Sequence, residues 1–197
     1  AMTDHGVMHG CVDFINKAKK AGIKPILGCE FNVSGIHPES PQKLYHLTAI
    51  CRTLAGYKNA LALISKANIE QYDEMTGIGT LSIEWFKDHA EGLTILSGDL
   101  GAELPQTILR HGDVEGVVSR LRDLFEPGQF YLEMMDNAFE MQKRVNAFYK
   151  ENAKRWDLPL VATNDCHYMQ RDEAFAHAVL VCNGMKKIVD VEELRKY

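Results

Sequence analysis

Residues 1–31, AMTDHGVMHGCVDFINKAKKAGIKPILGCEF, decide the architecture. The short apolar start, Ala1 to Thr3, reads as the end of a strand and runs straight into Asp4-His5-Gly6. Helical periodicity follows from about Gly10 to Ala21, with Gly22 as its C-cap. Pro25 to Phe31 is a second apolar strand, and Glu30 stands at its end between Cys29 and Phe31. Strand, helix, strand is the signature of an α/β fold.

The alternation continues downstream. Residues 34–43, with Gly35, Pro38 and Pro41, form a loop, and Tyr45 to Arg52 a third strand. Ala55 to Tyr72 is a helix with Tyr57, Leu61, Ile64 and Ala67 on one face. Gly77 and Gly79 mark a loop, and Ser82 N-caps a helix to His89 with Trp85 and Phe86 facing inward. Leu93 to Ser97 is a buried strand, and Ala102 to Arg110 a helix. Asp113 N-caps the next helix, which carries Val117, Val118, Leu121, Leu124 and Phe125. Phe130 to Met134 is a strand. The long helix Ala138 to Trp156 carries Phe139, Met141, Val145, Phe148 and Tyr149 as its core stripe. Pro159 to Thr163 is the last strand, Arg171 to about Cys182 a helix, and Lys186 to Tyr197 a loose helix beyond it. Strands separated by helices imply parallel pairing with right-handed crossovers, in a barrel or an open doubly wound sheet. No GxGxxG or GxxxxGK[ST] follows any strand, which removes weight from nucleotide-cradling versions.

Composition bounds the function. The chain has 197 residues, 46% hydrophobic and 25% charged, as expected of one globular domain. No apolar run approaches the roughly 18 residues of a membrane span, and no signal peptide is read. The formal charge of -5 makes this segment a poor grip for duplex DNA. Cys11, Cys29, Cys51, Cys166 and Cys182 are odd in number and scattered without a CxxC pair, so neither a disulfide framework nor a zinc ribbon is expected. They read mostly as buried small hydrophobes in a reducing cytoplasm. Because the chain enters Asp4-His5 without a leading segment, it reads as a fragment that begins inside an element.

Metal-ligand residue types recur at strand ends, where parallel α/β folds gather their chemistry. The first strand ends in Asp4-His5, the second in Glu30, the fourth in Ser97-Gly98-Asp99, and the last in Asn164-Asp165-Cys166-His167. His46 is the exception, because it lies at the start of the third strand. Carboxylates bridge divalent cations and imidazoles fill the remaining positions. Asp165-x-His167 is the strongest local signal, since i and i+2 of an extended segment point the same way. Each residue also has a plainer reading. Asp165 caps a turn and His167 sits on the surface, His5 is a turn histidine, Glu30 pairs with a lysine, His46 is a core histidine, and Asp99 caps the helix after it. Asp4, Glu133 and Asp136 read as capping or ion-pair groups, and His9, His37, His89, His111 and His177 as surface residues. No serine nucleophile elbow or activated Cys-His pair is present.

Four segments carry a family resemblance: residues 2–31; YHLTAICRTLAGYKNALALIS from Tyr45; EGLTILSGDLGAELP from Glu91; and LPLVATNDCHYMQRDEAFAHAVLVC from Leu158. Over about residues 1–185 the chain resembles the N-terminal polymerase-and-histidinol-phosphatase (PHP) domain of bacterial DNA polymerase III alpha subunits. The resemblance implies a distorted (β/α)7 TIM-like barrel, here lacking its first strand, with 186–197 extending toward a next domain. It implies up to three zinc, manganese or iron ions and phosphoester hydrolysis, with His5, Glu30, His46, Asp165 and His167 as matching ligands and Glu30 and Asp165 as catalytic positions. Asp99 falls where related sequences often have Cys or His. The family's leading His-x-His pair precedes the first residue here. The parent protein implied is a cytoplasmic DNA-directed DNA polymerase whose other domains handle polymerisation and DNA, and the substrate implied is a DNA 3′ end or pyrophosphate. Two alternatives stay open: an inactive scaffold that docks a separate proofreading exonuclease, and a stand-alone PHP phosphatase for a small phosphate ester. Retention of the covered ligand positions favours a metal site over the scaffold, and the alpha-type segments disfavour the phosphatase.

Overall fold

The computed structural model describes residues 1–37 and 44–184. The chain divides into two compact units, Ala1–Thr163 and a second beginning at Asn164. The loose helix expected over 186–197 and part of the loop at 34–43 lie outside the described residues.

In the first unit, α1 (Cys11–Lys20) has Asp13 in its first turn and Lys17, Lys19 and Lys20 in its last, matching the helix dipole. Gly22, at φ +71°, closes it: the Gly22 amide donates to Lys19 and the Ile23 amide to Ala18. This doubly bonded left-handed cap is the work a glycine does best. There follow β1 (Leu27–Val33), β2 (Tyr45–Cys51), α2 (Leu54–Glu70), the small ladder β3 (Tyr72–Asp73) and β4 (Ile78–Gly79), and a 3₁₀ turn (Ile83–Trp85) running into α3 (Phe86–His89). Then come β5 (Leu93–Leu96), α4 (Glu103–Leu109), α5 (Val114–Leu124), β6 (Phe130–Met135), α6 (Glu140–Trp156) and β7 (Leu160–Thr163). In the second unit a 3₁₀ turn, Arg171–Glu173, opens α7 (Ala174–Gly184), with Gln170 and Glu173 forming a capping box.

One five-stranded sheet, in the order β1-β2-β5-β6-β7, organises the first unit. The N-terminal segment lies beside β1 in parallel: the amides of Met2, Gly28, Glu30 and Gly6 donate in turn to Ile26, Met2, Asp4 and Glu30. The expectation of parallel pairing throughout is corrected here. β2 runs antiparallel to both β1 and β5, and only β5, β6 and β7 are mutually parallel. The reason is the connection. Only eleven residues separate Val33 from Tyr45, fewer than the dozen or more that a parallel crossover needs, so the chain returns antiparallel.

The apolar side of the sheet is covered by helices. Phe31, Phe86, Phe125 and Phe130 form a chain of rings with centroids 5.8, 5.6 and 6.0 Å apart. Two expected stripes hold in part: Val145 and Tyr149 of α6 and Ala67 of α2 are buried, and Phe148, Tyr57 and Ile64 pack against the core. On α6 the buried residues are Gln142, Val145, Tyr149, Ala153 and Trp156, while Phe139 and Met141 are exposed. Helical spacing, not apolarity, decides which side chains turn inward. On α2 the buried line is Gly56, Ala60, Leu63 and Ala67, and Leu61 faces out. Thr53 caps α2 by accepting from the Gly56 amide at 3.1 Å, and Asp113 caps α5 by accepting from Gly116 at 2.9 Å. Ser82 makes no such side-chain cap. All five cysteines are free, but only Cys11 and Cys29 are buried, fewer than expected. Among the described residues no helix is long and apolar enough to cross a membrane.

The small residues of α2 permit a close approach. A Cβ on Gly56 would lie 2.1 Å from the carbonyl oxygen of Gly92, which is backbone and cannot swing away. Gly56→Ala is therefore expected to destabilise the chain by about 1–3 kcal/mol in urea unfolding, the usual cost of overpacking. Ile69→Ala, at an 81% exposed position on the same helix, should stay within about 0.5 kcal/mol.

Candidate metal centre

The sheet register brings the candidate residues together. His5 bridges Glu30 across the parallel N-terminal ladder, and Glu30 is paired with Thr48 of β2. His46 lies two residues before Thr48 and so projects from the same face as Thr48 and Glu30. The antiparallel course of β2 explains the exception noted in the sequence. Its beginning lies at the end of the sheet where β1 and β5 finish, so a strand-start histidine joins Asp99 just beyond β5 and Glu30, which stands in the middle of β1 and not at its end as expected. The Nδ1 and Oε1 atoms of His5 and Glu30 are hydrogen-bonded. His46 Nδ1 lies 3.7 Å from Glu30 Oε1 and 3.1 Å from Asp99 Oδ1. The two imidazoles meet edge to face with centroids 4.8 Å apart. Asp99 Oδ1 also accepts from the Gly101 amide at 3.0 Å, so the residue both shapes its turn and faces the cluster. A Cβ on Gly101 would come within 2.9 Å of His46 Nδ1, so the bare glycine leaves room for the ring.

Four of the six expected positions, His5, Glu30, His46 and Asp99, thus converge within the first unit. Asp165 and His167 belong to the second unit. Asp165 has φ +48°, so its segment is not extended and the same-side argument for i and i+2 does not hold. A local turn brings His167 Nδ1 to 2.9 Å from the Asp165 carbonyl oxygen and 3.6 Å from its carboxylate, and the rings of His167 and His177 lie 5.2 Å apart. Two neighbours escaped the sequence reading. Asn32 Oδ1 lies 2.9 Å from His5 Nε2, and its place two residues after Glu30 on one strand was a usable signal. Glu133, set aside as a capping or ion-pair group, is buried in β6 as the only charged residue of FYLEMM. Of the histidines read as surface residues, His9 and His111 are exposed, whereas half-buried His37 and His89 lie 3.5 Å from the Asp113 carboxylate and 3.0 Å from the Trp85 carbonyl oxygen.

Residues 1–137 match the PHP domain. The chain belongs to the PHP-domain family. It is 38% identical to the DNA polymerase III subunit alpha of Thermus aquaticus over 98% of this chain and 16% of that protein. It is 35% identical to the subunit of the same name from Treponema pallidum over 95% of this chain and 16% of that protein. An error-prone DNA polymerase of Symbiobacterium thermophilum is 32% identical over 92% and 17%. The chain spans roughly one sixth of the length of these curated relatives.

The electrostatics of this PHP site favour a cation. Among the described residues no lysine or arginine forms an ion pair with Glu30, Asp99 or Glu133, and the ionic partners of the first two are the imidazoles. The alternative of a Glu30–lysine pair is not what the structure has. Burial pushes the Glu133 carboxyl up, and the charges of Asp99 and Glu30 add to this against the hydrogen bonds from Thr163 and Gly98. Burial also opposes ionisation of Asp99, but the hydrogen bond and charge of His46, with backbone amides, hold it below the usual range. The hydrogen bond to Glu30 raises His5 above 6.5, over the opposing burial. Both its ring nitrogens face acceptors, which suits imidazolium when no cation is present. One donor atom each from His5, Glu30 and His46 falls within 4.8 Å of the others, so the group could hold a metal ion. Oxygen with imidazole nitrogen suits zinc, manganese or iron. Cys29 is no ligand: it faces the core, and burial pushes its thiol up to about 12.

A cation must displace the His5 proton, which sets a pH dependence. With its folded pKa raised, the His5–Glu30 pair stabilises the metal-free fold fully below pH 6.5 and loses that effect as pH rises through the raised value. Metal affinity runs the other way. It should fall about tenfold per pH unit below the raised His5 pKa, with a proton released on binding. Calorimetric titration of Mn²⁺ or Zn²⁺ in two buffers of different ionisation enthalpy checks both; no buffer dependence and no pH dependence would refute it.

Proposed function

We propose that this PHP domain holds divalent cations at His5, Glu30, His46 and Asp99 and hydrolyses phosphodiesters at the 3′ end of DNA. The observation that carries this reading is the approach of the His5, Glu30 and His46 donor atoms within 4.8 Å, in a cluster whose carboxylates form no ion pair with lysine or arginine among the described residues. The relatives named DNA polymerase III subunit alpha support its place in a polypeptide of that kind, with the other polymerase domains as partners and the cytoplasm as compartment. On this reading the sheet closes as a distorted (β/α)7 barrel over about residues 1–185.

When bound, the cations supply a water ionised near neutral pH and offset the charge on the phosphoryl oxygens. The chain's own residues do the rest. Glu30, placed between His5 and His46, would hold a cation together with them. Asn32 holds the His5 ring by its Nε2, leaving Nδ1 toward the cluster. Asp99 restrains His46 from the β5 side.

The test uses the full-length protein with 5′-labelled DNA bearing a mismatched 3′ terminus, Mn²⁺ or Zn²⁺, and no nucleotides. Shortening from the 3′ end is expected, and Glu30→Gln should slow it roughly a hundredfold or more, beyond what loss of an outer-shell partner causes. Release of phosphate from pyrophosphate instead would change the substrate. Metal retained with neither reaction would make the domain a scaffold that docks a separate exonuclease.

A further inference from the structure

Glu133 is 3% exposed and forms no ion pair among the described residues. Its Oε2 accepts from the Gly98 amide at 3.1 Å and its Oε1 from the Thr163 hydroxyl at 2.6 Å. Its own amide donates to Ser97 Oγ at 2.8 Å, and the fully buried Tyr149 hydroxyl donates to the same oxygen at 3.3 Å. One network therefore ties the ends of β5 and β7 and the middle of α6 to β6. Gly98 is the residue immediately before Asp99. Its φ of +82° and the 2.7 Å gap that a Cβ would leave to Ala102 show a turn with little freedom.

We infer that Glu133 is a positioning residue of the metal centre: through the Gly98 amide it fixes the turn that holds Asp99 against His46. The inference rests on the metal-binding reading above. Both carboxylate oxygens are already engaged by protein donors, so Glu133 orients the turn and leaves coordination to Asp99. A carboxylate suits this task because charge-assisted hydrogen bonds are about twice as strong as neutral ones.

The test is Co²⁺ binding to the full-length protein, followed by visible absorption and recorded as the difference from the Glu30→Gln variant. Glu133→Gln, with its fold checked by circular dichroism, is expected to weaken Co²⁺ binding about tenfold to a hundredfold, as loss of an outer-shell partner does. It should also alter the visible band in the manner of Asp99→Asn, and the double variant should add little to either single one. Thr163→Val should weaken binding in the same direction by a smaller factor. Parent-like affinity and spectrum in a folded Glu133→Gln would overturn the inference. Should Glu133→Gln fail to fold, parent-like behaviour of both Thr163→Val and Tyr149→Phe would overturn it. If the parent itself shows no Co²⁺ signal beyond Glu30→Gln, the metal reading falls, and this inference with it.

Discussion

Four backbone hydrogen bonds between residues 2–6 and 26–30 decide where the chemistry of this chain can occur. They run in parallel register and set His5 beside Glu30, although 25 residues separate them in sequence. Everything else in the cluster is arranged relative to that pair. β2 returns antiparallel and lays His46 across the same face, and the β5 exit then delivers Asp99 to the far side of His46. Had β2 run parallel, His46 would stand at the opposite end of the sheet.

The cluster gathers carboxylates of limited exposure: Glu133 is buried, and Glu30 and Asp99 are partly so. Taking such groups out of water is costly. Protonation of His5 relieves part of that cost, and the hydrogen bonds around Glu133 relieve another part. The arrangement is one that a divalent cation would satisfy better than any side chain present.

Much of this was legible in the residues. The strands came out within a few residues of their observed limits, because each apolar run is bounded by glycine, proline or a polar cluster. His5 and Asp99 were singled out by positions near strand ends, and Glu30 as a carboxylate inside an apolar run, although β1 continues three residues past it. His46 stood as an anomaly only because the sheet was taken as wholly parallel, although the proline-bearing loop between β1 and β2 left no helix to carry a crossover. The α6 stripe was right at Val145 and Tyr149 but went astray at Phe139 and Met141, weighed by apolarity; Gln142, one turn before Val145, takes the inward place instead. The Asp165 turn was out of reach, since nothing in Asn164-Asp165-Cys166 announces a left-handed residue. Glu133 was visible as a lone charge inside an apolar strand, but its partners, Gly98 and Thr163, lie on other strands and appear only once the sheet is assembled.

The segment Gly56-Tyr57-Lys58-Asn59 is among those that carry the resemblance to polymerase alpha subunits, and its structural role differs from that of the cluster residues. Gly56 rests on the backbone of Gly92, and the Asn59 side chain donates to the carbonyl oxygen of Glu91 at 3.0 Å. The segment is a fastening that seats α2 on the turn feeding β5, remote in purpose from any reacting atom. Likeness at these positions therefore vouches for shape, and a chain could keep it intact after every imidazole had been lost. The resemblance over residues 2–31 is of another kind, since that stretch holds His5 and Glu30 of the cluster itself.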